Sequence, residues 1–173
     1  MTDNIQATIS GKVTSSNSKT AFELFEKSRF GERKGEKIVY MPEEAFYLFE
    51  DKKLDLHSKI KQLTEKEIIK NLEKIDKDFL IKYAAFRDLR KKGYIVKSAL
   101  KFGTDFRIYE KGKSIAEDHA KWLLTVFSER DSLKLRDLAA KNRVAHSTKK
   151  KLLIAIVDHE QDVSYYESEW VAI

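Results

Sequence analysis

Three places in the chain carry side chains whose types and spacing could do chemistry. Tyr109 ends the strand-like run "DFRIY". His119 follows ten residues later, ahead of the apolar run "AKWLLTVF". Lys149, Lys150 and Lys151 open the apolar run "LLIAIV". A phenol, an imidazole and an ammonium can between them remove a proton, supply one and stabilise negative charge. Imidazole, with an ordinary pKa of about 6.5, can give up a proton near neutral pH. Lysine is a compact cation suited to a phosphate oxygen. Tyrosine ordinarily titrates near pH ~10, so it serves as a base when a nearby cation favours the phenolate. Each group also has a plain structural reading. A strand-end tyrosine packs its ring and keeps its hydroxyl wet, so Tyr109 is expected at the surface. A lone histidine before a strand is a turn residue, and a lysine run is a solvated strand end.

Other chemistries find no support in the sequence. There is no cysteine, which removes disulfides and thiolate metal sites. The histidines His57, His119, His146 and His159 form no HExxH pair. No GxxxxGK[ST], GxGxxG or GxSxG pattern occurs. No metal and no cofactor is therefore expected. The net charge is +6 over 173 residues. That excess favours an anionic partner, with nucleic acid the first candidate. No apolar run approaches the roughly 18–20 residues of a membrane span. The N-terminal "MTDNIQATIS" has no apolar signal core. A cytoplasmic protein without a membrane partner is expected.

The elements that must position these residues fall into two groups. The first is a small N-terminal α/β domain over residues 1–78. "ATISGKVTSS" reads as a strand and turn. "NSKTAFELFEKSRFG" reads as a helix with Ala21, Leu24, Phe25 and Phe30 on one stripe. "KIVY" is a strand, and Pro42 starts a helix that buries Ala45, Phe46, Leu48 and Phe49. Thr64 and Glu67 form a capping box ahead of a third helix.

The second group, residues 79–173, opens with the helix "DKDFLIKYAAFRDLRKKG", which Gly93 ends. Strands follow at "YIVKSAL", "DFRIYEKG" and "AKWLLTVFSE", then the helix "LRDLAAKNRVAHS". Two more strands are "KKKLLIAIVD" and "DVSYYESEWVAI". Leu152–Val157 is apolar without alternation, which predicts a central strand covered on both faces. The fold class is α/β, with a mixed central sheet in the C-terminal domain.

The blocks "GYIVKSALKFGTDFRIYEKG", "HAKWLL", "RVAHSTKKKLLIAIVD" and "DVSYYE" together resemble the catalytic domain of the archaeal tRNA-intron splicing endonucleases. The likeness runs through nearly all of residues 80–173, and the N-terminal half fits the family's smaller domain in length and pattern. The resemblance implies a catalytic triad of Tyr109, His119 and Lys150, with Tyr109 as base, His119 as acid and Lys150 stabilising the phosphorane. It implies cleavage of precursor tRNA at bulge–helix–bulge intron boundaries, without metal, to 2′,3′-cyclic phosphate and 5′-hydroxyl ends. Arg143 falls where the family clamps a bulged base, and no second arginine follows "VSYYE". Lys101, Arg107, Lys111 and Lys113 flank Tyr109 and could hold phosphates. The acidic loop Asp158, Glu160 and Asp162 matches one that docks on a neighbouring subunit, and the implied assembly is a homotetramer, a dimer of dimers. Two other readings stay open: a non-catalytic structural subunit of such an enzyme, and an RNA-binding module without catalysis. A metal-dependent DNA nuclease would need clustered carboxylates, and none is convincingly spaced.

Overall fold

The computed structural model of the chain describes residues 4–112 and 119–173. The chain divides into two compact units, one ending at Leu80 and one running from Ile81.

In the first unit, β1 (Ile5–Ser10) turns back at Gly11 into β2 (Val13–Ser16). Helix α1 (Lys19–Ser28) follows, its N-terminus capped by the Ser18 hydroxyl, which accepts from the Ala21 amide. Strands β3 (Glu32–Lys34) and β4 (Lys37–Tyr40) form a hairpin. Helix α2 (Pro42–Glu50) starts at the proline, as its fixed φ favours. Strands β5 (Leu54–Ser58) and β6 (Lys61–Gln62) precede α3 (Glu65–Ile75). The six strands form one sheet in the order β3-β4-β2-β1-β5-β6, with β1 and β5 parallel.

The capping box at α3 is present. The Thr64 hydroxyl accepts from the Glu67 amide, and the Glu67 carboxylate accepts from the Thr64 amide. Buried Glu44 joins two segments by accepting from the amides of Gly31 and Met41 at 3.0 and 3.2 Å. Gly31 lies at φ +79°, and a Cβ there would meet Ile38 at 2.3 Å, so only glycine fits. Of the predicted α1 stripe only Ala21 is buried within the helix, while Phe30 is buried just beyond its end.

The second unit is built on one five-stranded sheet in the order β11-β10-β9-β8-β7. Helix α4 (Phe79–Lys91) ends where Gly93 turns at φ +89°. Then come β7 (Ile95–Ser98), a 3-10 turn at Leu100–Phe102, β8 (Phe106–Tyr109) and β9 (Trp122–Ser128). Helix α5 (Leu135–Ser147) crosses over to β10 (Lys151–Val157), and β11 (Val163–Ser168) closes the edge. Only β9 and β10 pair in parallel, so the sheet is mixed.

Packing divides the sheet's two faces. Phe86 of α4 lies 6.0 Å from Phe106. On the same face the Tyr165 hydroxyl of β11 donates to Asp88 of α4 at 2.8 Å. On the other face Leu123 and Leu152 pack with Ala145 of α5 and with Phe102. Two expectations need correction. β10 lies inside the sheet, but Ile154 and Ile156 are only half-buried, because α5 covers only part of that face. The last strand stops at Ser168, and Trp170, Val171 and Ile173 lie beyond it, exposed. Among the described residues no helix is long and apolar enough to cross a membrane.

Candidate active site

Sheet topology brings Tyr109, His119 and Lys150 to one end of the second unit. β8 runs antiparallel to β9, and β9 runs parallel to β10. The last residue of β8 and the segments leading into β9 and β10 therefore meet at the same edge. Backbone bonds fix the meeting. The Lys121 amide donates to the Ile108 carbonyl at 2.9 Å, and the Lys151 amide donates to the Lys121 carbonyl at 3.0 Å. Tyr109 is one residue past Ile108, His119 two before Lys121, and Lys150 one before Lys151.

Each candidate sits in a different setting. Tyr109 is 6% exposed, so the surface location expected of a strand-end tyrosine is wrong. Its cross-strand partner is Ile95, and its face is shared with Arg107, two residues back. His119 is exposed and outside any regular element.

Lys150 is half-buried and precedes β10. Its position comes from the way α5 ends. Lys149 adopts the left-handed conformation at φ 55°. The Lys149 amide then donates to His146 and the Lys150 amide to Ala145. These are the paired bonds of a Schellman cap, usually built on glycine. Lys150 Nζ donates to the Thr148 carbonyl at 2.8 Å. Burial, reinforced by the charges of Arg107 and Lys101, holds its ammonium below the usual lysine pKa. Strand alternation does not separate the three lysines, because the strand begins only at Lys151.

Lys151 faces elsewhere. Its Nζ pairs with Glu167 at 2.6 Å and Glu169 at 3.7 Å, and the Glu167 hydrogen bond raises its pKa. Glu167 also accepts from the Trp122 indole at 2.8 Å. Among the described residues no carboxylate pairs with Lys150 in this way.

The other candidates distribute around this edge. Lys101 is exposed on the 3-10 turn, and Arg107 is half-buried on β8. Lys111 Nζ lies 4.8 Å from the Tyr94 ring. Lys113 falls outside the described residues. Arg143 is exposed on α5, one turn before His146. The Trp170 ring lies 4.6 Å from the His146 ring and tilted 46° to it, beside the helix turn that follows Arg143. Sequence reasoning sought a second arginine there and missed this ring. The acidic loop is organised by Asp158, whose Oδ1 accepts from the Glu160 and Asp162 amides, both at 2.9 Å. Glu160 and Asp162 are exposed.

The charge follows the site. Residues 1–80 hold 15 Lys and Arg against 15 Asp and Glu, whereas residues 81–173 hold 19 against 13. The unit with the triad candidates thus carries the whole cationic excess. Among the described residues no cluster of three His, Asp or Glu could hold a metal ion.

The structure thus brings a phenol, an imidazole and an ammonium toward one end of the sheet, in the unit that carries the net positive charge. The chain belongs to the tRNA intron endonuclease family: residues 79–165 match its catalytic C-terminal domain and residues 6–69 its N-terminal domain. It is 41% identical over 160 residues to a tRNA-splicing endonuclease of Pyrococcus abyssi, with 92% of each chain covered. It is 38% identical over 172 residues to one of Thermococcus onnurineus, with 99% of each covered. It is 41% identical over 133 residues to one of Nanoarchaeum equitans, which covers 73% of this chain and 85% of the relative.

Proposed function

We propose that this chain is the catalytic subunit of a cytoplasmic tRNA-splicing endonuclease that cuts precursor tRNA at both intron boundaries without a metal. The observation that carries the reading is the convergence of Tyr109, His119 and Lys150 at one end of the sheet. Tyr109, as phenolate, takes the proton of the 2′-hydroxyl. The 2′-oxygen bonds to the adjacent phosphorus and the bond to the 5′-oxygen breaks. His119 gives its proton to that leaving oxygen. Lys150 stabilises the charge that accumulates on the non-bridging oxygens. The products are a 2′,3′-cyclic phosphate and a 5′-hydroxyl.

Recognition rests on a different set of residues. Bulged bases splay out and stack on aromatic rings or guanidinium planes. Arg143 and the Trp170 indole offer one of each. Lys101 and Arg107 hold phosphates and supply affinity rather than sequence readout.

Two cuts at a fixed separation need two sites, so at least two copies must assemble, and the assembly proposed is a homotetramer, a dimer of dimers. Two features support assembly. β11 is an edge strand, and beside it Phe127, Ile154, Ile156 and the exposed Tyr166 line an apolar groove. The exposed carboxylates Glu160 and Asp162 suit a basic surface on a neighbouring copy.

The test is cleavage of an end-labelled bulge–helix–bulge RNA in excess EDTA, with the new 3′ end mapped chemically. Cyclic phosphate is expected. Binding without cleavage would reject catalysis by this chain alone, and cleavage only with added magnesium would reject the acid–base triad.

A further inference from the structure

Lys150 Nζ lies between a backbone carbonyl, that of Thr148, and an aromatic ring, and among the described residues no carboxylate pairs with it. Phe102 ends the 3-10 turn, and its ring centroid lies 5.8 Å from Lys150 Nζ and 5.1 Å from Lys101 Nζ. The ring is not free to move away. It packs against the buried cluster of Ala99, Leu123, Ala145 and Leu152. The turn that carries it is closed by the Phe102 amide donating to Ala99 at 2.8 Å. Lys141 of α5 ties the next residue down, its Nζ donating to the Gly103 carbonyl at 2.6 Å.

The difference between a ring and a carboxylate matters for a cation that must act on phosphate. A carboxylate would neutralise the ammonium and occupy its protons, as Glu167 does for Lys151. An aromatic face attracts the ammonium through its quadrupole and adds no net charge. The Thr148 carbonyl accepts one proton of the ammonium, which leaves two for a ligand. Clustering Lys101, Arg107 and Lys150 would otherwise drive the flexible lysine side chains apart, and a ring flanked by two of them opposes that.

We propose that Phe102 is a positioning residue for the reaction: its ring fixes the Lys150 ammonium where the scissile phosphate arrives without neutralising it. The inference rests on the reading of Lys150 as the stabilising cation.

The experiment compares single-turnover cleavage by assembled wild-type enzyme with Phe102→Leu, Phe102→Tyr, Lys150→Met and the double variant Phe102→Leu/Lys150→Met. Leucine keeps an apolar side chain in the cluster and removes the π face. Phe102→Leu is expected to lower the cleavage rate about 3- to 30-fold with little change in RNA affinity, the range a cation–π contact spans. Phe102→Tyr restores most of the rate. In the Lys150→Met background, Phe102→Leu has no further effect, because a residue acting through Lys150 has nothing left to position. Three results overturn the proposal. An unchanged rate in Phe102→Leu removes the ring from the mechanism. An equal loss with and without Lys150 shows that the ring only supports the fold. A wild-type rate in Lys150→Met instead removes the lysine reading on which the proposal stands.

Discussion

Lys150 and Lys151 are neighbours in the chain and opposites in environment. Lys151 Nζ is paired with Glu167 and Glu169, and its pKa is raised. Lys150 Nζ lies by the Phe102 ring, and its pKa is held down by burial and by Arg107 and Lys101. One residue of chain separates an ammonium spent on the protein from one available to a phosphate. Lys150→Ala is therefore expected to slow cleavage about 10²- to 10³-fold, the usual cost of removing one transition-state donor. Lys151→Ala is expected to change it less than about tenfold, since exposed ion pairs contribute little. Single-turnover rates of the two variants on the same RNA decide it.

Lys149 completes the series with a third outcome. It occupies the left-handed position of the α5 cap at φ 55°, a conformation that costs a non-glycine residue about 1–2 kcal/mol. Glycine would remove that strain but would gain freedom in the unfolded chain. Lys149→Gly is expected to leave stability unchanged or raise it by about 1 kcal/mol, with cleavage retained. Denaturant titration monitored by circular dichroism gives the sign, and a loss above about 1 kcal/mol would contradict the cap assignment.

Tyr109 is expected to separate chemistry from binding. Tyr109→Phe keeps the buried ring and deletes only the hydroxyl. If the hydroxyl is the base, cleavage falls about 10²- to 10⁴-fold while RNA affinity stays within a few-fold. Near-wild-type cleavage in Tyr109→Phe would remove that residue from the mechanism.

The pH dependence carries a sign. The Lys150 ammonium lies below the ordinary lysine pKa of 10.5, so its charged form is lost at lower pH than that of a free lysine. Cleavage that needs the charge falls on the alkaline side below that value. Lys101 is one of the cations that depress it, so Lys101→Gln is expected to move the alkaline limb to higher pH. Its effect is smaller than that of burial, the larger cause. A rate profile from pH 6 to 10.5 for both proteins tests the direction.

Much of this was legible in the sequence, and the failures have physical causes. Pro42 at the head of α2, the Thr64–Glu67 box and the limits of α5 follow from local signals that act within one helical turn. The strand pair β5–β6 was not foreseen, because β5 takes its structure from pairing with distant β1 and the two residues of β6 from pairing with β5. The left-handed cap that follows α5 was not foreseen, because lysine rather than glycine holds that position. Tyr109 looked exposed because alternation along β8 says which residues share a face, not what covers that face. Trp170 was missed because its ring meets His146 across 23 residues of intervening chain.

The acidic loop gives the last prediction, and its geometry decides which residues to change. Asp158 accepts the Glu160 and Asp162 amides, and its own amide donates to the Asp162 carbonyl at 3.0 Å, so it shapes the turn. Replacing Asp158 would disrupt the loop whatever the loop touches. Glu160 and Asp162 are exposed and join that framework through their backbone groups alone, so their carboxylates can be reversed with the turn intact. If the loop joins copies of the proposed homotetramer, Glu160→Lys with Asp162→Lys converts tetramers into dimers while each chain keeps its far-ultraviolet circular dichroism. Screening points the same way: if the loop docks on a basic surface, raising salt from about 0.05 to 0.5 M should weaken the wild-type tetramer, the Debye length falling below about 5 Å. Sedimentation velocity across that range reads both effects. Tetramers that persist in the double variant at every salt concentration would exclude the loop from assembly and leave the apolar groove beside β11 as the surface that joins the copies.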